Sequence, residues 1–260
     1  LLNRGGLTIQ TEIDPRTQRA AQDAVSNYVY ATDPVIGVMV MIEPGTGLIK
    51  GIAQSRDKIG SNAGETYWNY AMEPSLGGAE GYRGGSTFKM FTLAAAIDKG
   101  YPTSRSYDSP KEKDWKGEVF RTCEGSVKVP KSWGVTNAGG GGEFDMYTGA
   151  KYSVNNYFVS LEQDVGLCEV TQMAEKLGLK LSGTTFTKAQ NPSFTLGAAE
   201  VSPISLVNAY ATIAARGKRC EPIILKSAVS KDGKNYEVPS ANCQQVISEG
   251  VADAIADVLR

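Results

Sequence analysis

Apolar positions in this chain change rhythm several times along its length. Leu7, Ile9 and Ile13 alternate with polar residues and predict a strand over 7–13. Pro15 then opens a helix expected to run to about Tyr30, proline being tolerated in a first turn. Denser apolar runs at 35–42 and 48–55, on either side of Pro44-Gly45-Thr46-Gly47, predict a hairpin in a central sheet. The segment from Ser86 to Lys99 is apolar on nearly every side, as a buried helix would be, and Gly100 supplies its stop. No period persists from Tyr101 to Gly142, which reads as a long irregular stretch with a flexible glycine run at 139–142. Helical spacing returns over 145–152 and 156–165 and dominates up to Arg216. Two strands, 223–230 and 234–238, flank an Asp232-Gly233 turn, and 248–259 is an amphipathic helix through Val251, Ile255, Val258 and Leu259. The expected class is mixed α/β (α+β): an antiparallel sheet flanked by helices, an all-helical lobe beside it, and a cleft between them.

The chemistry concentrates at the start of the buried helix. Ser86 stands in its first turn with Lys89 three residues on, so both side chains share one face. An ammonium drawn out of water loses its proton more easily, and a neutral lysine can activate a serine. The same pattern also fits an N-cap serine with a snorkelling lysine. A second Ser-x-x-Lys, Ser55 to Lys58, lies in polar loop-like sequence and reads as coincidence. Ser153-Val154-Asn155 falls at a junction between two helical stretches, where one loop can present a hydroxyl and an amide; a plain turn or cap pair has the same composition, and Ser240-Ala241-Asn242 shares the spacing.

Composition narrows the choice. The 260 residues contain no histidine, which excludes a Ser-His-Asp triad, a Cys-His pair and any histidine-bearing zinc site. A serine enzyme of this composition needs lysine as its base. A net charge of −1 gives no electrostatic support to a nucleic-acid partner, and 41% hydrophobic content suffices for a sizeable core. No apolar run approaches the length of a membrane span.

Taken in order, these segments resemble the transpeptidase domain of class A (bifunctional) penicillin-binding proteins, a family marked by Ser-x-x-Lys, Ser-x-Asn and Lys-Thr-Gly motifs. The resemblance runs through GGLTIQTEIDPRTQRAAQDAV and VMVMIEPGTGLIKGIAQS, then YRGGSTFKMFTLAAAIDKG, SVNNYFVSLEQDVG and LGAAEVSPISLVNAYATIAARGK, nearly the whole chain. It implies the β-lactamase/transpeptidase-like fold and an acyl-enzyme on Ser86 formed from the D-Ala-D-Ala end of a peptidoglycan stem peptide. Lys89 would be the base, Ser153 the proton relay, and Asn155 both a substrate contact and a brace for Lys89; Ser153 and Asn155 thus also bind substrate. The acyl group would pass to a neighbouring stem peptide, and β-lactams would trap the same serine. No cofactor and no metal are implied. The expected location is the extracytoplasmic face of the bacterial cell membrane, with a transmembrane anchor and a glycosyltransferase domain upstream that this sequence lacks.

Two departures stand out. Gly84-Gly85 replaces the usual Pro-Gly before the nucleophile and is expected to loosen the loop. Lys-Thr-Gly does not occur; Lys231-Asp232-Gly233 is nearest, and its position between two strands makes it a hairpin tip. The expectation is a domain spanning 1–260 cut before the third motif, with the segment carrying that motif as a missing partner.

The family's setting favours disulfides over free thiols. Cys220 and Cys243 flank the open ends of the second hairpin, where a bridge would contribute about 3 kcal/mol on loop entropy; Cys123 with Cys168 follows by elimination. Alternatives are a class A-like β-lactamase, although residues 162–169 lack its Glu-x-x-Leu-Asn, a noncatalytic penicillin-recognising sensor or cell-wall-binding domain, and a serine/lysine protease on the same framework.

Overall fold

The structure is a computed structural model that describes residues 5–260. Along the chain, β1 (Leu7–Thr11) and α1 (Pro15–Tyr28) precede β2 (Val38–Ile42) and β3 (Ile49–Gln54). Next come β4 (Tyr82–Arg83), a 3-10 turn at Gly85–Phe88, and α2 (Lys89–Asp98). Six short strands follow: β5 (Tyr107–Ser109), β6 (Glu112–Asp114), β7 (Val119–Thr122), β8 (Gly125–Lys128), β9 (Gly134–Thr136) and β10 (Gly142–Phe144). Helices α3 (Met146–Lys151), α4 (Asn155–Val165) and α5 (Leu167–Leu177) lead to a 3-10 turn at Phe194–Leu196 and β11 (Glu200–Val201). After them stand α6 (Pro203–Ala214), β12 (Lys218–Arg219), β13 (Leu225–Ser230), β14 (Asn235–Tyr236), β15 (Gln244–Gln245) and α7 (Glu249–Leu259).

These elements form two compact units. The first comprises the described residues up to Gly81 together with Ser202–Gln244. In it β1, β13 and β14 make an antiparallel sheet, β2 and β3 make a hairpin, and a parallel bridge between Leu48 and Ile223 joins the two. Helix α1 starts at Asp14, whose carboxylate accepts the Thr17 N–H at 2.7 Å, with Pro15 in the first turn. It buries Ala21 and Val25 against Ala53, Met39 and Met41. The Gln18 amide clamps this packing by exchanging two hydrogen bonds with the Ile52 backbone, at 2.7 and 2.9 Å. Lys231, Asp232 and Gly233 do lie at the tip between β13 and β14, with Ser230 N–H donating to Lys234 O at 3.0 Å. Cys220 and Cys243 are joined across the base of that hairpin. Ser55, the serine of the second Ser-x-x-Lys, is buried and accepts the Gly37 N–H.

The second unit holds Tyr82–Val201 and Gln245–Arg260. Its axis is α2, buried from Lys89 through Ala96 and packed on by α4, α5 and α7. Phe88 and Phe91, just after Ser86, meet Phe186 and Phe194 edge-on or tilted, with centroids 5.1–6.4 Å apart. Gly100 at φ +83 closes α2 with its N–H on Ile97 O, while Tyr101 N–H reaches Ala96 O.

The stretch from Tyr101 to Gly142 is ordered, contrary to the expectation from sequence. Its strands pair as nested antiparallel ribbons, β5 with β10, β6 with β9 and β7 with β8. Each strand has only three or four residues and most positions are exposed, so no alternation persists long enough to be read. Trp115, Phe120 and Trp133 form the small core beneath them. Within the glycine run Gly141 is tightly packed, since a Cβ there would stand 2.6 Å from Lys111 N, whereas Gly139 and Gly140 face open space. Cys123, just past β7, is bridged to Cys168 in the first turn of α5.

Candidate active site

Every candidate catalytic residue lies in the second unit. The turn carrying Ser86 is pinned by its backbone. Gly84 N–H donates to Ala199 O at 3.3 Å and Gly85 N–H to Gly197 O at 3.1 Å, while Thr87 Oγ1 donates back to Gly84 O at 2.6 Å. Glycine at these positions therefore does not loosen the loop. A Cβ on Gly84 would come 2.0 Å from the Phe88 ring, and Gly85 has φ +56, which an L side chain resists. The Lys89 N–H bonds to Ser86 O, so the two residues are one 3-10 turn apart on the same face. The Ser86 side is exposed, whereas Lys89 is 5% exposed.

Lys89 Nζ has three acceptors on the second motif: Ser153 O at 2.6 Å, Ser153 Oγ at 2.9 Å and Asn155 Oδ1 at 2.6 Å. The Phe158 ring lies beside it, its centroid 5.6 Å away. Burial lowers the Lys89 pKa from its ordinary 10.5 to about 8.

Ser153 owes its aim to the end of α3. That helix closes with Ser153 N–H on Ala150 O and Val154 N–H on Gly149 O, the paired bonds of a Schellman motif. Its left-handed position, normally a glycine, is Ser153 at φ +50. The strained backbone turns both the carbonyl and the hydroxyl of one residue toward the same amine. Asn155, the first residue of α4, is braced from behind: its Nδ2 donates to Thr136 O at 2.8 Å. The next residue, Asn156, is fully buried, accepts from Trp115 Nε1 and donates to Pro110 O and Val135 O, locking α4 to the nested ribbons.

Ser153 and Asn155 of the second motif thus converge on the Lys89 amine, whose residue is one turn from the exposed Ser86. The penicillin-binding protein transpeptidase domain matches residues 37–260. The chain belongs to the penicillin-binding protein transpeptidase family. It is 28% identical to penicillin-binding protein 1A of Mycolicibacterium smegmatis, over all of this chain and 31% of that protein. It is 26% identical to penicillin-binding protein 2D of Bacillus subtilis, over 99% of this chain and 34% of that one. The chain therefore spans about a third of the length of these relatives. Among solved structures, the penicillin-binding protein PonA1 of Mycobacterium tuberculosis aligns over 99% of this chain and 63% of its own, with a TM-score of 0.76 at 26% identity. PonA1 has also been solved in complex with penicillin V, which aligns with a TM-score of 0.73. The β-lactamase/transpeptidase-like fold expected from the sequence is the fold of these neighbours.

Sequence reading missed two supports of this site and a buried acid on the same helix. Thr136 acts through its carbonyl, which no motif can reveal. Phe158 is three residues past Asn155 on the same helix face, a spacing that would have pointed to it. Glu162 is fully buried, and an acid inside an apolar helix face was the available signal. Among the described residues no cluster of metal-binding side chains occurs.

Proposed function

We propose that the chain is the acyl-transferring part of a serine D,D-transpeptidase, with Ser86 as nucleophile and Lys89 as its base. The observation that carries this reading is the Lys89 amine, buried, held by Ser153 and Asn155, and one turn from an exposed serine. In its neutral form Lys89 takes the proton of Ser86 as Oγ bonds to the carbonyl carbon of a D-Ala-D-Ala peptide. The C–N bond then breaks, and the proton passes through the Ser153 hydroxyl to the departing D-alanine amine. The Ser86 N–H, in the first turn of its helix, donates to the oxyanion. A stem-peptide amine attacks the ester to complete the cross-link and release Ser86. A β-lactam enters by the same first step, with its amine still tethered after ring opening.

The two disulfides accord with an extracytoplasmic location. No helix among the described residues is long and apolar enough to cross a membrane. Hydrolysis in the manner of a class A β-lactamase requires a carboxylate that holds water at the ester. The nearest candidate in sequence, Glu162, is fully buried and engaged with Thr195 N–H, which favours a long-lived acyl-enzyme.

Intact mass spectrometry after exposure to penicillin tests the reading. A stable adduct on the Ser86 peptide, absent in Ser86→Ala, is the expected result. No adduct would support a noncatalytic wall-binding domain, and rapid loss of the adduct would support a β-lactamase.

A further inference from the structure

Among the described residues Glu162 is the one buried acid that the chemistry above leaves unused, and its surroundings lead back to Ser86. The side chain is fully buried on α4, two turns after Asn155 and on the same face. Its Oε1 accepts the Thr195 N–H at 2.9 Å, and its Oε2 has no hydrogen-bond partner among the described residues. Burial pushes the Glu162 carboxyl well above the usual carboxylate range. A buried polar atom without a partner is destabilising, so the acid is a costly choice for filling space.

The bond that Glu162 does make falls at a significant place. Thr195 is in the 3-10 turn Phe194–Leu196, and Ser193, at that turn's N-cap position, makes no side-chain cap bond. First-turn N–H groups have no partner within their own helix, and Glu162 supplies one from another element. This turn ends at Gly197, φ +70, whose carbonyl accepts the Gly85 N–H immediately before Ser86. The approach is so close that a Cβ on Gly197 would stand 2.1 Å from Gly85 O. The Thr92 hydroxyl, one turn after Lys89, bonds to the Thr195 hydroxyl at 2.8 Å and fixes the same turn to α2.

We propose that Glu162 is a positioning residue for the nucleophile: by capping the Phe194–Leu196 turn it holds Gly197 O on Gly85 N–H and so sets the turn that presents Ser86. One helix then governs both partners of the reaction. Its first residue, Asn155, holds Lys89, and Glu162 holds the segment on which the serine turn is hung. The inference rests on Ser86 being the acylated residue, so its test carries one arm that does not depend on acylation.

The experiment compares wild type, Glu162→Gln and Glu162→Leu. Acylation by a fluorescent penicillin at rising concentration separates noncovalent affinity from the acylation rate, and hydrogen exchange is followed in the peptide containing Gly85. Glutamine keeps the acceptor for Thr195 N–H and is expected to stay within about twofold of wild type in both readings. Leucine removes the acceptor at similar volume. It is expected to slow acylation about tenfold or more with affinity unchanged, and to speed exchange at Gly85 by a similar factor. Should Glu162→Leu not fold, Glu162→Met carries the same expectation with a more adaptable side chain. Wild-type acylation and Gly85 exchange in the leucine or methionine variant would overturn the proposal, as would a glutamine variant as impaired as leucine. If wild type itself takes no label, the acyl-enzyme reading fails and the exchange arm alone decides whether Glu162 fixes the serine turn.

Discussion

Lys89 and Asn155 are joined by a 2.6 Å hydrogen bond whose acceptor is held from the far side, because the same amide donates to Thr136 O at 2.8 Å. The two ends of one planar group thus serve different masters, and Asn155→Asp separates them. A carboxylate keeps the acceptor for Lys89, loses the donor for Thr136, and places a negative charge against the amine. That charge favours the ammonium and opposes the burial that favours the neutral form. The midpoint of the pH–acylation profile should move upward by about one unit or more. Penicillin acylation rates from pH 6 to 10 check this, and an unmoved midpoint would show that Asn155 does not tune the base.

Wild-type acylation should itself rise with pH through about 8, where Lys89 gives up its proton. The same shift governs stability. Below about pH 8 the lysine is charged in both folded and unfolded states, and its contribution does not change. Between about 8 and the ordinary 10.5 the unfolded chain holds a proton that the folded protein has released, so stability gains with pH across this window. Lys89→Met removes the titrating group and should abolish acylation. Its stability relative to wild type should be higher at pH 7 than at pH 10, as read by urea unfolding at both values. Equal differences at the two pH values would contradict the lowered pKa.

Ser153 is held in a backbone conformation that L residues resist. A non-glycine residue in the left-handed region costs roughly 1–2 kcal/mol, and Ser153 at φ +50 bears this to bring its hydroxyl to Lys89. Ser153→Gly and Ser153→Ala both lose that hydroxyl and should lose acylation to a similar extent. Only glycine is freed of the strain, so it should be about 1 kcal/mol more stable than alanine. Chemical denaturation of the two variants checks the difference. Alanine equal to or better than glycine would mean that the turn relaxes and Ser153 is not held under strain.

The parts of this molecule visible in the sequence are those whose cause is local. Pro15 in a first turn, the apolar run from Met90 to Ala96 interrupted only by Thr92, and Asp232-Gly233 between two strands each specify an element within a few residues. Ser86 and Lys89 were legible because three residues is one turn. What escaped depends on partners distant in the chain. The nested ribbons between Tyr107 and Phe144 are set by pairing across up to 36 intervening residues, as in Tyr107 opposite Phe144, with strands too short to show a period. The Thr136 carbonyl and the Glu162–Thr195 bond are contacts between elements, and no spacing within either element announces them. Even Gly84-Gly85, read as slack, proved tight once Ala199, Gly197 and Phe88 were in place.

The two disulfides should differ in what their loss does. Cys123–Cys168 closes a loop of 45 residues that contains the second motif and all of α3 and α4, whereas Cys220–Cys243 closes 23 residues around the β13–β14 hairpin. Loop entropy gives about 4 kcal/mol for the first and about 3 kcal/mol for the second. Replacing each pair by serine should lower the unfolding free energy in that order. Folded variants should nonetheless acylate at near wild-type rates, because neither bridge touches Lys89, and the Asn156 bonds to Trp115, Pro110 and Val135 hold α4 in place without either of them. Urea unfolding of Cys123→Ser/Cys168→Ser and Cys220→Ser/Cys243→Ser, each paired with an acylation rate well below its own transition, provides the check. A folded Cys123→Ser/Cys168→Ser protein that no longer acylates would mean that the bridge, and not the asparagine network, sets the position of Ser153 and Asn155.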